Sequence, residues 1–158
     1  MMATQTQRYP TRPWARWVFR VAVTCEALFA FAQAVLAGGF LAGHYQLLAL
    51  HKENATFTGV AAVVMTLVAV VQWRPGRGPL WPVFVSAALF AAEAVQIVLG
   101  YARVLIIHIP LGVSIIAAIV LLLVWAWKPI TPSPDEDKSA TTVESNGVPV
   151  PTPAGLAP

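Results

Sequence analysis

The chain has 158 residues, 58% of them hydrophobic and 11% charged, with a formal net charge of +3. A mean hydropathy of +0.69 excludes a soluble domain of this size, because no core is large enough to hide so much apolar side chain behind so small a surface. The few basic residues gather at the ends of apolar runs, which excludes a nucleic-acid footprint, and the single Cys25 excludes an intrachain disulfide or a cysteine-based metal centre.

Residues 1–16 form a polar, basic N-terminal segment. Trp14 and Trp17 interleave with Arg16 and Arg20, the pattern of an interfacial aromatic belt beside positive charge. The first apolar span runs over about residues 17–42, close to the ~20 residues that cross a bilayer. A signal peptide also places Arg before an apolar run, but here the basic region is long and the run holds Glu26 and Gln33. The second span starts near His51 or Asn54 and ends at Trp73. Residues 74–79, with two prolines and two glycines, are a tight polar turn. The third span covers about residues 80–100 and the fourth about residues 105–127, with Arg103 in the short link between them. Residues 129–158 are rich in Pro, Ser, Thr and acidic residues and bury too little apolar surface to offset ordering, so a disordered tail is expected. The fold class is all-α: a polytopic membrane protein whose four-transmembrane-helix bundle covers residues 17–128.

With four spans, Arg8, Arg12, Arg16, Arg20, Arg74, Arg77 and Lys128 share one side, and only Lys52 and Arg103 fall on the other. The positive-inside rule then puts both termini in the cytoplasm of a bacterial inner membrane. His44, His51 and His108 fall together on the outer side.

The two halves of the chain resemble each other. Gly43 precedes His51 by eight residues and Gly100 precedes His108 by eight. Ala27-Leu28-Phe29-Ala30 recurs as Ala88-Leu89-Phe90-Ala91. Each half reads as a helical hairpin whose second helix opens with a histidine. A pseudo-repeat of two hairpins about an axis along the membrane normal brings His51 and His108 face to face.

Two facing histidines on a bundle suit the axial positions of a haem iron. Each stands at a helix start, where the positive end of the dipole disfavours imidazolium and keeps the ring neutral for a metal. Ala55 and Gly59 lie four and eight residues after His51, and Gly112 four after His108, so small residues leave room for a flat ring. Pro110 can aim His108 by opening the fourth span. The alternative is a pair of interfacial histidines at headgroup depth. His44 is a solvated loop residue, a group near a propionate of the cofactor, or an alternate ligand. Glu93 and Gln96 share a face of the third span, and Glu26 and Gln33 a face of the first. Intramembrane carboxyls are candidates for proton relay or for interhelical hydrogen bonds.

The string His51-Lys52-Glu53-Asn54-Ala55 at the start of an even-numbered span resembles the His-Arg-x-x-Ala signature of haem A synthase proteins. His108 falls where that family has the partner histidine. The family is a tandem of two four-helix halves, each with a histidine pair, and residues 17–127 correspond to one half. Lys52 stands in place of the Arg, Leu48 stands where the substrate-converting half carries a Glu, and the loop cysteine pair is absent. The resemblance therefore implies a haem-holding half and not haem hydroxylation. It points to b-type haem held by His51 and His108, with electron transfer or haem handling as the work and a quinone or membrane redox protein as partner. Oligomerisation is left open. The rival reading is a non-catalytic integral membrane protein that binds another membrane subunit, with Gly38, Gly39 and Gly43 marking close helix packing.

Overall fold

The computed structural model describes residues 11–129, so the expected disordered tail lies, from residue 130 on, outside the described residues. Four helices form: α1 (Pro13–Leu41), α2 (Leu47–Trp73), α3 (Trp81–Tyr101) and α4 (Leu105–Trp127). All four are long and apolar enough to cross a membrane. The chain is an all-helical membrane bundle. Each of α1 and α3 packs against both α2 and α4, which leaves α1 facing α3, and α2 facing α4, across the diagonals.

Two helices start earlier than their apolar runs suggest. α1 begins at Pro13, which has no N–H to lose in a first turn. The extended Arg12 before it donates its N–H to Gly76 O at 2.8 Å, tying the start of α1 to the α2–α3 turn. α2 begins at Leu47, so Lys52 and Glu53 sit within a helix that reaches past the apolar run. α1 and α3 end alike, in Schellman motifs. His44 N–H bonds Gly39 O at 3.0 Å and Gly43 N–H bonds Phe40 O at 3.0 Å. Val104 N–H bonds Leu99 O at 3.0 Å and Arg103 N–H bonds Gly100 O at 3.2 Å. The left-handed positions are Gly43 at φ 98° and Arg103 at φ 59°.

The core is a narrow seam on each helix. The buried residues are Ala15, Phe19, Val23, Glu26 and Ala30 on α1, and Thr58, Ala62, Met65, Ala69 and Gln72 on α2. On α3 they are Pro82, Ser86, Leu89 and Glu93, and on α4 Ile115, Ile119, Leu122 and Ala126. Steps of four and three residues give the 3.5-residue period of a left-handed bundle, with one seam facing the other three helices. Every other face is turned outward and is as apolar as the seam, as lipid contact requires.

All six tryptophans lie at one end of the bundle, at the starts of α1 and α3 and the ends of α2 and α4. Arg20 joins α1 to α4 there. Its guanidinium lies 5.1 Å from the Trp17 ring centroid and 5.0 Å from that of Trp127, and its Nε donates to Ala126 O at 2.9 Å. The other end carries the three histidines.

Candidate functional site

Each buried seam stops about two turns short of the histidine end, yet its spacing continues. The next positions are Gln33 and Ala37 on α1, Ala55 and His51 on α2, Gln96 and Gly100 on α3, and Gly112 and His108 on α4. All eight line a cavity of ≈ 240 Å³. Its floor is the outermost buried layer, Ala30, Thr58, Glu93 and Ile115. The cavity thus exists because the bundle's core positions pass from Val, Leu, Ile and Phe to Ala, Gly, Gln and His. Lys52, Tyr101 and Leu105 stand at its rim.

His51 and His108 come from diagonally opposed helices and meet in this cavity, their ring centroids 6.4 Å apart and their planes at 69°. His51 Nδ1 lies 3.2 Å from Gln33 O, and His108 Nδ1 lies 2.9 Å from Gln96 O. A backbone carbonyl only accepts, so both Nδ1 atoms carry the proton. That tautomer leaves each Nε2 with its lone pair, the arrangement that metal-binding imidazoles use.

Side-chain amides brace the helices that carry the two rings. Gln96 Nε2 donates to His108 O at 2.8 Å, reciprocating the bond from His108 Nδ1 to the Gln96 carbonyl. Asn54 Nδ2 donates to Gln33 Oε1 at 3.0 Å and to Phe29 O at 3.0 Å, fixing α2 against α1 beside His51. Both rings are thus held from the neighbouring helix in their own hairpin.

The other residues expected at the site divide. Ala55, Gln96 and Gly112 line the cavity. The space beside Gly112 is taken by an amide, not kept for a ring: an added Cβ would stand 2.7 Å from Gln96 Nε2. Gly59 lies below the cavity, where an added Cβ would stand 3.7 Å from Ile97 Cδ1. His44 is exposed in the α1–α2 loop and does not line the cavity. Pro110 lies inside α4, which continues through it as helix. Two residues named in the sequence for other reasons take a part at the site. At Gly100 an added Cβ would stand 3.0 Å from His108 Cε1, so the imidazole packs closely against bare backbone. Asn54, inside the quoted motif, is a brace. Continuing the seam spacing outward from the buried run would have found Gly100.

Beneath the cavity, Glu26 on α1 and Glu93 on α3 both stand on the buried seam. Glu26 is fully buried and Glu93 nearly so, and neither carboxyl has a hydrogen-bond partner.

No protein-family model, no curated protein and no solved structure matches the chain. Among the described residues no cluster of three or more His, Cys, Asp or Glu is present to hold a bare metal ion. A haem iron brings four nitrogen donors of its own and asks the protein for two. Two opposed imidazoles at about 2.0 Å per metal–nitrogen bond, each nitrogen roughly 1.2 Å from its ring centroid, stand about 6.4 Å apart centroid to centroid. The observed separation is 6.4 Å. The cavity volume is smaller than the about 300–1,000 Å³ of small-molecule sites. The ring separation matches two imidazoles on one iron, whereas a macrocycle would need the cavity wider than it stands, with the exposed rim side chains Leu41, Tyr101 and Leu105 turned outward.

Proposed function

We propose that this chain is a b-type haem protein of the membrane, with His51 and His108 as the axial ligands, serving one-electron transfer or haem handling. The observation that carries this reading is the histidine pair: opposed rings 6.4 Å apart, each with Nδ1 committed to a carbonyl and Nε2 left over. The iron, when bound, supplies a one-electron couple. The chain's own contribution is positional. Gln33 and Gln96 orient the rings, Gly100 lets His108 lie against α3, and the emptied seam positions make room. Lys52 at the rim is a cation suited to an anionic cofactor edge.

The two hairpins act as equivalents in this proposal, which their matching Schellman caps and matching histidine bonds support. The basic residues at the tryptophan end assign that end, and both termini, to the cytoplasm, with the cavity toward the outer face. A reporter fused after residue 128 is then active only as a cytoplasmic reporter; activity as a periplasmic reporter would reverse the orientation. A quinone or an outer-face redox protein is the electron partner.

Absorption spectroscopy of protein purified from haem-replete cells tests the reading. The reduced protein should show the sharp bands of six-coordinate, low-spin b-haem. His51→Ala and His108→Ala should each turn it high-spin or colourless, and His44→Ala should leave it unchanged. Bound haem stabilises the folded bundle by mass action, so each ligand variant should also melt earlier. A colourless protein that cannot be reconstituted would leave the rival, a helical interaction protein. That rival draws less from Gly39, whose missing Cβ is filled by Leu47 of the same chain.

A further inference from the structure

The bundle consists of two helical hairpins, α1–α2 and α3–α4, and its two ends join them in different ways. At the tryptophan end the hairpins are bonded to each other. Arg20 Nε on α1 donates to Ala126 O on α4 at 2.9 Å, and Trp127 Nε1 donates to Thr24 Oγ1 at 3.2 Å. The Trp17 and Trp127 rings meet edge to face at 5.6 Å, and Phe19 meets Trp125 at 6.2 Å. Phe19, Met65, Leu89, Ile119 and Leu122 fill the axis below the cavity. The chain also crosses from one hairpin to the other at this end, through residues 74–80.

At the histidine end the polar bonds stay inside each hairpin. His51 Nδ1 donates to Gln33 O, and Asn54 Nδ2 donates to Gln33 Oε1 and Phe29 O, all between α2 and α1. His108 Nδ1 and Gln96 Nε2 exchange bonds between α4 and α3. Among the described residues no hydrogen bond at this end joins one hairpin to the other; Arg16, Arg77 and Lys128, which have further partners, belong to the tryptophan end. Packing does not replace those bonds. Beyond the floor at Ala30, Thr58, Glu93 and Ile115, no described residue is buried. The ring contact that crosses between the hairpins there is that of His51 with His108. The α1–α2 and α3–α4 loops each close within one hairpin, so neither bridges the gap.

Segments with few buried contacts open at low cost. Two levers joined by bonds and packing at one end, and by neither at the other, part at the second. We propose that the hairpins pivot against each other at the tryptophan end, so that the α2–α3 and α1–α4 interfaces separate at the histidine end and the cavity alternates between its present width and a wider one. The pivot stands on this packing alone; that the wider form admits a haem rests on the haem reading. On α4, Ala126 at the clamp and His108 stand about 27 Å apart along the helix. A relative tilt of about 8° at the clamp then parts the histidine end by roughly 4 Å, one carbon–carbon contact distance, which is what a flat ring placed between two walls requires. The bonds within each hairpin survive that motion, so Gln33 and Gln96 keep hold of the two rings. Leu41, Tyr101 and Leu105, exposed at the rim, move outward with their own hairpins.

Spin-label distances in the full chain, in lipid nanodiscs and a Cys25→Ala background, test this. One label pair, Ala42→Cys with Ala102→Cys, spans the hairpins at the histidine ends of α1 and α3, and both sites are exposed. The other, Val21→Cys with Phe84→Cys, spans the same two helices nearer the tryptophan end, again at exposed sites. The first pair should give two populations about 4 Å apart, and the second pair one. A single narrow distance at the histidine end, or equal spread at both ends, overturns the proposal. Haem added to the labelled chain should gather the first pair into one population; both populations persisting in a chain that has taken up haem overturns the pivot's role at the site. A cleavable cross-link between the first pair should block haem uptake, and cutting it should restore uptake. Uptake at the unlinked rate overturns the pivot as the route of entry. A chain that binds no haem in any form overturns the haem reading alone, and the distances in the bare chain still decide the pivot.

Discussion

The reciprocal clamp between Gln96 and His108 gives a prediction whose sign depends on background. Gly112 sits in the interior of α4, where Gly→Ala ordinarily stabilises a helix by about 0.8–1.0 kcal/mol. At this position the added Cβ would stand 2.7 Å from Gln96 Nε2, which now donates to His108 O at 2.8 Å. The clashing atom is the far end of a flexible side chain, so the bundle need not distort; the amide swings away and its hydrogen bond is lost. Interhelical hydrogen bonds within a membrane average about 0.6 kcal/mol and reach about 1.7. The two effects nearly cancel, and Gly112→Ala in the wild type should change stability by less than ~1 kcal/mol. In a Gln96→Ala background the clash and the bond are both gone, and Gly112→Ala should stabilise by close to the full helix-propensity gain, about 1 kcal/mol. A double-mutant cycle followed by denaturation in detergent should therefore give a coupling energy of about 1 kcal/mol. Changes that add within about 0.3–0.5 kcal/mol would mean that Gln96 and Gly112 act independently and that the clamp is absent.

Two further substitutions probe opposite ends of the bundle. At Gly100 an added Cβ meets His108 Cε1 at 3.0 Å and Nδ1 at 3.3 Å, atoms of a rigid ring, so Gly100→Ala should weaken haem binding; Gly59→Ala, whose Cβ meets only Ile97 Cδ1 at 3.7 Å, should leave it unchanged. Equal haem retention in the two variants would show that His108 does not need the bare backbone beside it. Arg20→Met keeps the stem but removes the bond to Ala126 O and both ring contacts, and should lower stability in detergent by about 1–2 kcal/mol. An unchanged melting temperature would refute a role for Arg20 in joining α1 to α4.

The spans, the polar turn at residues 74–79 and the basic, tryptophan-rich end were legible in the sequence because each is a local signal. An apolar run of bilayer length is a helix whatever its partners, and Pro and Gly between two runs mark a turn. Helix starts were less legible. The run before His51 breaks at Gly43, but α2 restarts at Leu47, because Schellman capping of α1 needs only a short loop. The seam was hidden for a different reason. In a soluble bundle the buried stripe stands out against polar residues, whereas here the lipid-facing sides are equally apolar and the four spans bury only 17–22% of their most hydrophobic windows. What marks the seam is the placement of small and polar residues: Glu26, Ala30, Gln33 and Ala37 on α1, and Ser86, Glu93, Gln96 and Gly100 on α3. The pairing of histidines was legible from topology. The burial of Glu26 and Glu93 without partners was not, since it depends on which face of each helix turns to the axis.

The same seams say what the bundle gives up at its histidine end. Inside a bilayer, lipid chains are as apolar as a core, so helix association rests on close packing and interhelical polar bonds instead of the hydrophobic effect. The half of the bundle near the tryptophans packs Phe19, Met65, Leu89, Ile119 and Leu122 on the axis. The other half places Ala, Gly, Gln and His at eight successive seam positions and forgoes much of that contact around a cavity of ≈ 240 Å³. Small residues stabilise a membrane bundle when they let backbones close together. Here they do so only locally, as where Gly39 admits Leu47 and Gly112 admits Gln96. Hydrogen bonds from Asn54, Gln96 and both histidines hold the four helices around the remaining gap. A bundle selected for helix packing alone would close that gap with two or three leucines. A gap kept open by braces, with the histidine pair inside it, is the feature on which the proposal of a bound group rests.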